Sequence, residues 1–410
     1  MDFKTPKGTK DYAFEEAYKK EKIILLIEEN LKKWGYEKLY TPAMEMIQTL
    51  EAKTGEEIRG QIFKIENSEY ALRFDLTVGS ARFVANNNLI LPYKRYCSGN
   101  VWRREEPQKG RLREFTQVDA DIYGLESEEA EAELLAISSE ILKKIGFSNF
   151  KIYLNNREIL SDLVERYNKK KDENKILRIL DKIEKMDREQ IIKQLQEIGL
   201  SATQIEEIFN LDYKKASQIS PKGMKRLNNI VEILSRVYGM SSEEIKIDFC
   251  LTRGLEYYTS TVFEIKLSDQ IGSIAGGGRY DNLTALYGKK IAAVGISFGI
   301  ERIMYLLKDL EFFRGIYISY LDKSYYKNAV ELSKKLREEG FVVSTNLNQK
   351  KDLKEQLNYA IKNNFQYIII IGKEEIEKNT YTLKDLRKRK QYYNLGYSQL
   401  VELLRNEQND

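Results

Sequence analysis

Residues 95–124, RYCSGNVWRREEPQKGRLREFTQVDADIYG, constrain the fold of this chain more than any other stretch, because two β-like runs flank a charged loop and carry charges at alternating positions. Successive side chains of a strand point to opposite faces. Alternation therefore groups Cys97, Gly99, Val101, Arg103 and Glu105 on one face of the first run, and Arg113, Phe115, Gln117, Asp119 and Asp121 on one face of the second. Such a face is not apolar core, since unpaired buried charges are too costly. It either lines a polar cavity or is a solvated outer face, and these residues leave both readings open. The loop between the runs, with Pro107, Lys109, Gly110 and Arg111, is a basic hairpin suited to phosphates.

The rest of the chain divides by pattern. Apolar positions Ile23, Ile27, Leu31 and Trp34 predict a helix over 14–35. Short β-like runs follow at 36–40, 62–66, 93–105 and 113–123, with a helix across 77–86, then a helix over 127–145 and a strand at 151–154. This predicts an α+β unit around a mainly antiparallel sheet. From 157 to 244 the sequence is almost wholly helical in pattern, with an inserted module expected over about 170–244. Strand character returns at 245–267, 271–275 and 291–297, before a helix over 300–307. Beyond Phe313 strands and helices alternate (315–320, 324–339, 341–344, 352–363, 367–372), which predicts βαβ units and a mainly parallel sheet. The expected organisation is one unit over 1–312, carrying the insertion, and an α/β unit over 313–410.

Composition narrows the function classes. The 67 basic residues nearly cancel 63 acidic ones, giving a net charge of +4, so any nucleic-acid surface is a local patch. Cys97 and Cys250 lack CxxC spacing and the chain contains no histidine, which argues against structural zinc and for free thiols in a reducing compartment. The longest apolar runs, 23–27 and 367–371, are far shorter than the ~20 residues of a membrane span. The N-terminal region mixes Asp2, Glu15 and Glu16 with lysines and has no apolar signal core, so the expected location is the cytoplasm.

Three further stretches carry candidate chemistry. In LTRGLEYYTSTVFEI (251–265) two adjacent tyrosines follow Arg253 and Gly254, and strand alternation lets only one of them face a given pocket unless the glycine bends the chain. In AGGGRYDNL (275–283) three glycines permit close backbone approach to a ligand, although by themselves they favour a tight turn. AVGISFGIERI (293–303) reads as a glycine-punctuated strand entering a helix with Glu301 and Arg302 in its first turn.

Together these segments resemble the three signature motifs of class II aminoacyl-tRNA synthetases, and specifically the histidyl-tRNA synthetase family, along the whole chain. Pro42 in YEKLYTPAMEM resembles the motif 1 proline of a dimer interface, VWRREEPQKGRLREF motif 2, and FGIERI motif 3. RFDLT (73–77), LTRGLEYYTSTVFE and AGGGRYDNL resemble the segments particular to the histidine enzymes. RFDLT and QVDAD resemble archaeal and eukaryotic members, whereas EEPQKGR resembles the bacterial loop, and Thr116 stands where the bacterial form commonly has histidine.

The resemblance implies a ligase that activates L-histidine with ATP and Mg²⁺, the metal carried on the ATP phosphates, and charges tRNA(His) as a homodimer. Carried over by position, it assigns Asp75, Thr77 and Gln117 to the α-amino group, and Asp121 and Tyr258 to the imidazole, with Tyr257 packed beside them. Arg103 then binds the α-phosphate and bridges to the carboxylate, Glu105 takes the adenine amino group, Arg111 and Arg302 take the outer phosphates, and Arg253 is the catalytic arginine. The 313–410 unit resembles an anticodon-binding domain, with the basic run 384–390 either on tRNA phosphates or in a solvated hairpin. Two rival readings keep the fold: a catalytically inactive paralogue that serves as regulatory subunit of ATP phosphoribosyltransferase, and a class II synthetase for threonine or proline.

Overall fold

The computed structural model describes residues 3–52, 56–108, 110–183, 186–253, 257–267, 272–307, 314–348 and 352–406. The chain forms two compact units, Met1–Lys308 and Asp309–Asp410. The boundary expected at 312/313, together with Lys109 and Gly254, lies outside the described residues.

Among the described residues the first unit has ten strands: β1 (Glu37–Lys38), β2 (Met44–Met46), β3 (Tyr70–Leu72), β4 (Tyr93–Trp102), β5 (Glu114–Tyr123), β6 (Lys151–Asn156), β7 (Ile245–Ile247), β8 (Thr261–Lys266), β9 (Ala275–Arg279) and β10 (Ala293–Gly299). Eight of them form one sheet in the order β1-β4-β5-β10-β9-β8-β6-β7, while β2 and β3 pair separately. Only the two edge pairs, β1 with β4 and β6 with β7, are parallel. The mainly antiparallel sheet expected from the sequence is therefore present.

Parity decides which side of this sheet is dry. Val118, Ala120 and Ile122 of β5 and Val294, Ile296 and Phe298 of β10 point into a core shared with Ile23, Ile27 and Leu31 of helix Phe14–Lys33 and with Leu134, Ile137 and Ile141 of helix Glu129–Ile145. Each fully buried Val, Leu, Ile or Phe side chain among these contributes about 1.5–3 kcal/mol. The opposite face carries the intervening residues Gln117, Asp119, Asp121, Gly295 and Ser297. Arg279 on β9 forms a buried pair with Glu131 of helix Glu129–Ile145 at 2.6 Å, and Glu131 also accepts from Arg226 at 2.8 Å. Arg226 belongs to helix Pro221–Arg236, so this network ties the insertion to the sheet.

The helical stretch begins at helix Arg157–Arg166, as the pattern indicated, and continues through Glu173–Leu180, Arg188–Glu197, Ala202–Phe209, Tyr213–Ile219 and Pro221–Arg236. Local signals stop and start its helices: Ser201 and Gln204 form a capping box, Asp212 caps the Lys215 N–H, and Pro221 opens the last helix. Its apolar stripe, including Leu163, Ile176, Ile191, Ile205, Leu227 and Ile230, extends the main core rather than forming a second one.

Three expectations need correction. The run 62–66 forms no strand; Lys64 makes a single bridge to Ala71. The run 245–267 is broken after Ile247, because the Asp248 side chain accepts from the Cys250 N–H at 3.0 Å and its carbonyl from Leu251, which turns the chain. The three glycines form a strand, β9, instead of a turn.

The second unit has β11 (Arg314–Tyr320), β12 (Val343–Thr345), β13 (Phe365–Ile371), β14 (Tyr381–Asp385) and β15 (Lys390–Leu395), in the order β12-β11-β13-β14-β15. β11 pairs in parallel with β12 and β13, but β13-β14 and β14-β15 are antiparallel, so the sheet is mixed where a mainly parallel one was expected. The basic run 384–390 is the β14-β15 hairpin, whose turn is held by Asp385 accepting from the Arg387 and Lys388 N–H groups at 2.8 Å. Both cysteines are free, with Cys97 buried and Cys250 partly buried. Among the described residues no helix is long and apolar enough to cross a membrane.

Candidate active site

The polar face of the large sheet forms the floor of a cavity of about 490 Å³. All eleven residues singled out from the sequence line it: Asp75, Thr77, Arg103, Glu105, Arg111, Gln117, Asp121, Arg253, Tyr257, Tyr258 and Arg302. The face groupings hold in part. Gln117, Asp119 and Asp121 share the floor, but Cys97 and Val101 pack with Leu76 and Phe115 in a small apolar cluster. Arg113 turns away from the cavity, its Nε donating to the Glu105 carbonyl at 2.9 Å. β4 ends at Trp102, and Arg103 and Glu105 follow it.

One end of the cavity is acidic. Asp75 accepts from the Val78 N–H at 3.0 Å at the start of helix Thr77–Asn86, and the Tyr257 hydroxyl reaches its other oxygen at 3.4 Å. Thr77 donates to Asp119 at 3.3 Å, and the Gln117 amide donates to Ser297 at 2.6 Å. Asp121 is gripped between the fully buried Arg95 guanidinium and the Tyr280 hydroxyl. Burial pushes the Asp75 carboxyl up to about 6, a rise that the Val78 N–H opposes and Asp119 reinforces. Burial likewise lifts Asp121 to about 7 although Arg95 opposes it, and Asp119 is raised for the same first reason.

The other end is basic. The Arg103 Nε donates to the Phe74 carbonyl at 2.9 Å and its guanidinium lies 5.2 Å from the Phe115 ring centroid. Arg253 is paired with Glu264 at 2.7 Å, and Tyr258, Glu264 and Asp181 hold its pKa above the usual value against the effect of burial. Arg302 donates to the Ser273 carbonyl; burial first, then the nearby charges of Arg111 and Arg103, lower its pKa to about 10. Cations that depress one another in this way bind anions favourably. Glu105 pairs with Arg111 at 2.9 Å. Glu301, beside Arg302, accepts from the Thr116 N–H and from Lys20, both at 2.9 Å, and so fixes helix Ile300–Leu306 against β5 and the N-terminal helix.

Two glycines make the constellation possible. A Cβ on Gly276 would collide with Nη1 of Arg253 and lie 2.8 Å from its Cζ; one on Gly295 would collide with the Asp121 carboxylate. Both tyrosines, Tyr257 and Tyr258, line the cavity, with ring centroids 4.9 Å apart. Residues 257–260 precede β8 and are not strand, so alternation does not apply to them. Arg95, Ser297, Glu264 and Tyr280 were missed by the sequence reading. Arg95 had a signal, because it stands opposite Asp121 in the β4-β5 register.

The raised carboxyls set a pH dependence. Asp75 and Asp121 keep protons in the fold up to about pH 6 and about pH 7, whereas unfolded aspartates lose them near ~3.9. Between those values the native state binds more protons than the unfolded one, so this contribution to stability is full below the unfolded pKa and is lost as pH rises through the folded values. Thermal melting should give Asp75→Asn a smaller fall in Tm than the parent between about pH 5 and about pH 8. Parallel melting curves would contradict this account.

A family model described as histidyl-tRNA synthetase matches residues 8–303, and one described as anticodon binding domain matches residues 315–407. The chain is 33% identical over 431 aligned positions to a histidine–tRNA ligase of Cytophaga hutchinsonii, with 93% of this chain and 95% of that one covered. It is 35% identical over 424 positions to a histidine–tRNA ligase of Korarchaeum cryptofilum, with 98% of each chain covered. Among solved structures, the crystal structure of histidyl-tRNA synthetase from Nostoc sp. PCC 7120 matches with a TM-score of 0.86 and 26% identity, over 99% of this chain and 100% of that chain.

Proposed function

Because the chain belongs to the histidyl-tRNA synthetase family, we propose that it is a histidine–tRNA ligase, which condenses L-histidine with ATP and then transfers histidine to the 3′ end of tRNA(His). The observation that carries this reading is the pairing of charge in one cavity: the carboxyls Asp75, Asp119 and Asp121 lie together, Arg111, Arg253 and Arg302 lie together, and Arg103 acts on both groups. An amino acid with a cationic head and a nucleoside triphosphate are complementary to those two groups.

The histidine carboxylate, with a reference pKa of ~3.5, is ionised at neutral pH and needs no general base. A chain without histidine is adequate for this step. One carboxylate oxygen attacks the α-phosphorus of ATP, forming histidyl-adenylate as the bond to the β-phosphate oxygen breaks and pyrophosphate leaves. In this reading Asp75, Thr77 and Gln117 hold the α-ammonium, Asp121 and Tyr258 read the imidazole, and Tyr257 packs beside them. Arg103 spans the α-phosphate and the carboxylate, Arg111 and Arg302 hold the outer phosphates, and Glu105 takes the adenine amino group. Arg253 stabilises the charge that spreads over the phosphoryl oxygens in the transition state. Arg111 and Glu105 pair with each other, and taking these roles exchanges that pair for contacts to the nucleotide.

Mg²⁺ enters with ATP as part of that substrate. Residues 1–312 then form the catalytic domain and 313–410 the anticodon-binding domain. A cytoplasmic homodimer is the expected form, with its contact at Pro42, where Tyr40 and Met44 expose apolar surface.

Pyrophosphate exchange screened across the twenty amino acids, followed by charging of total tRNA, tests the proposal. Exchange with histidine alone, and charging of one tRNA species, are expected. Histidine binding without exchange would favour the regulatory paralogue, and exchange with threonine or proline would favour the other rival.

A further inference from the structure

The roles above leave Asp119 without a substrate contact, although it is 2% exposed and lines the cavity. It stands on β5 two residues from Gln117 and two from Asp121, so all three project from the same face. Its Oδ2 accepts from the Thr77 hydroxyl, but its Oδ1 is buried with no hydrogen-bond partner. Gln117 donates one of its two amide N–H bonds to Ser297, and its Oε1 is also buried without a partner. Thr77 has given its one hydroxyl proton to Asp119, so toward a ligand it is an acceptor. Asp75, by contrast, has both carboxylate oxygens engaged, by the Val78 N–H and the Tyr257 hydroxyl.

Two buried acceptors without a partner, Asp119 Oδ1 and Gln117 Oε1, thus meet beside the Thr77 hydroxyl on the floor, with the Ser297 hydroxyl the nearest donor to Asp119. A buried acceptor without a donor is costly, and its natural complement is a group carrying several N–H bonds and no lone pair. A primary ammonium is such a group, whereas a neutral imidazole brings an acceptor of its own. We propose that Asp119 is a specificity residue for the substrate α-ammonium, taking one N–H on Oδ1 while Oδ2 orients the Thr77 hydroxyl so that its lone pair, with Gln117 Oε1, takes the others. Asp75, which also fixes the start of helix Thr77–Asn86 and holds the Tyr257 hydroxyl, keeps its place on the same ammonium. This assignment rests on the reading that the cavity takes an amino acid.

The test uses the full chain and three ligands: L-histidine, histamine, which keeps the ammonium and lacks the carboxylate, and imidazolepropionate, which lacks the ammonium. Binding of each to the parent, Asp119→Asn and Thr77→Val is measured by calorimetry, alongside the KM for ATP in pyrophosphate exchange. Asp119→Asn should weaken histidine and histamine by about 10- to 100-fold, the range for a hydrogen bond to a charged group. Imidazolepropionate binding and the KM for ATP should change little, and Thr77→Val should show the same selectivity more weakly. Equal losses for all three ligands would move Asp119 to the ring or to a general structural role, and unchanged histidine affinity would remove it from recognition. Parent protein that binds none of the three would instead overturn the amino-acid reading itself, and this assignment with it.

Discussion

Replacing Arg253 with alanine is expected to lower histidine-dependent ATP–pyrophosphate exchange by about 10²- to 10³-fold, the cost of removing one preorganised donor to a developing negative charge. ATP binding should largely survive, because Arg103, Arg111 and Arg302 remain on the same wall of the cavity. Arg253 suits this role because it cannot wander: Glu264 holds it at 2.7 Å, and it lies directly over the backbone of Gly276. That contact supplies an independent arm. Gly276→Ala introduces a methyl 2.8 Å from the Arg253 Cζ and in collision with Nη1, so it should reproduce much of the Arg253→Ala defect while leaving the arginine in the sequence. Steady-state exchange with ATP varied at saturating histidine is the measurement. Near-normal exchange in Arg253→Ala would sink the catalytic assignment, and a normal Gly276→Ala would show that the arginine acts from another position.

The second large effect belongs to Asp121. Asp121→Asn is expected to raise the KM for histidine by about 10²-fold or more, since sites built to pair a substrate's polar groups can discriminate by as much as ~10⁴. The KM for ATP should stay within a few-fold. Structure adds a complication that the sequence did not show, because Asp121 is also the counterion of the fully buried Arg95. Removing one partner of a buried pair costs about 3–5 kcal/mol of stability, so the single variant should also melt early. A double variant, Arg95→Met with Asp121→Asn, removes both charges and should recover much of the Tm without recovering histidine affinity. If the double variant recovers both, the single variant's defect is one of folding and the imidazole is read elsewhere.

Much of the site was legible because strand alternation is a local rule. It grouped Gln117, Asp119 and Asp121 before any tertiary contact was known, and β5 obeys it over ten residues. The same rule failed where the chain stops being a strand. It was applied to Tyr257 and Tyr258, which precede β8, and to Arg113, which precedes β5 and bonds back to the 105–106 loop. Strand propensity across 245–267 was overridden by one Asp248 turn, a side-chain hydrogen bond that apolar periodicity does not register. The glycines of 276–278 were read as a turn because glycine's backbone freedom is its commonest use. Their use here is the absence of a side chain, and the tertiary neighbours reveal it: Arg253 against Gly276, the Gly295 carbonyl against Gly277, and the Thr261 carbonyl and Tyr258 against Gly278.

The two-unit organisation and the antiparallel character of the large sheet followed from local pattern, which depends on neighbours in sequence, and the eleven cavity residues from the positions that match the family's motifs. Whether the charged face of β5 lay against solvent or lined a cavity could not follow from them, since the strand is the same in either case. Tertiary packing decided it, by laying helices Phe14–Lys33 and Glu129–Ile145 over the even-numbered positions and leaving the odd-numbered ones to face Arg253, Tyr257 and Tyr258. It also paired Arg95 with Asp121 and Glu105 with Arg111. Those pairings set the charge at each end of the cavity, and charge in a buried site depends on which groups meet across the fold rather than along the chain.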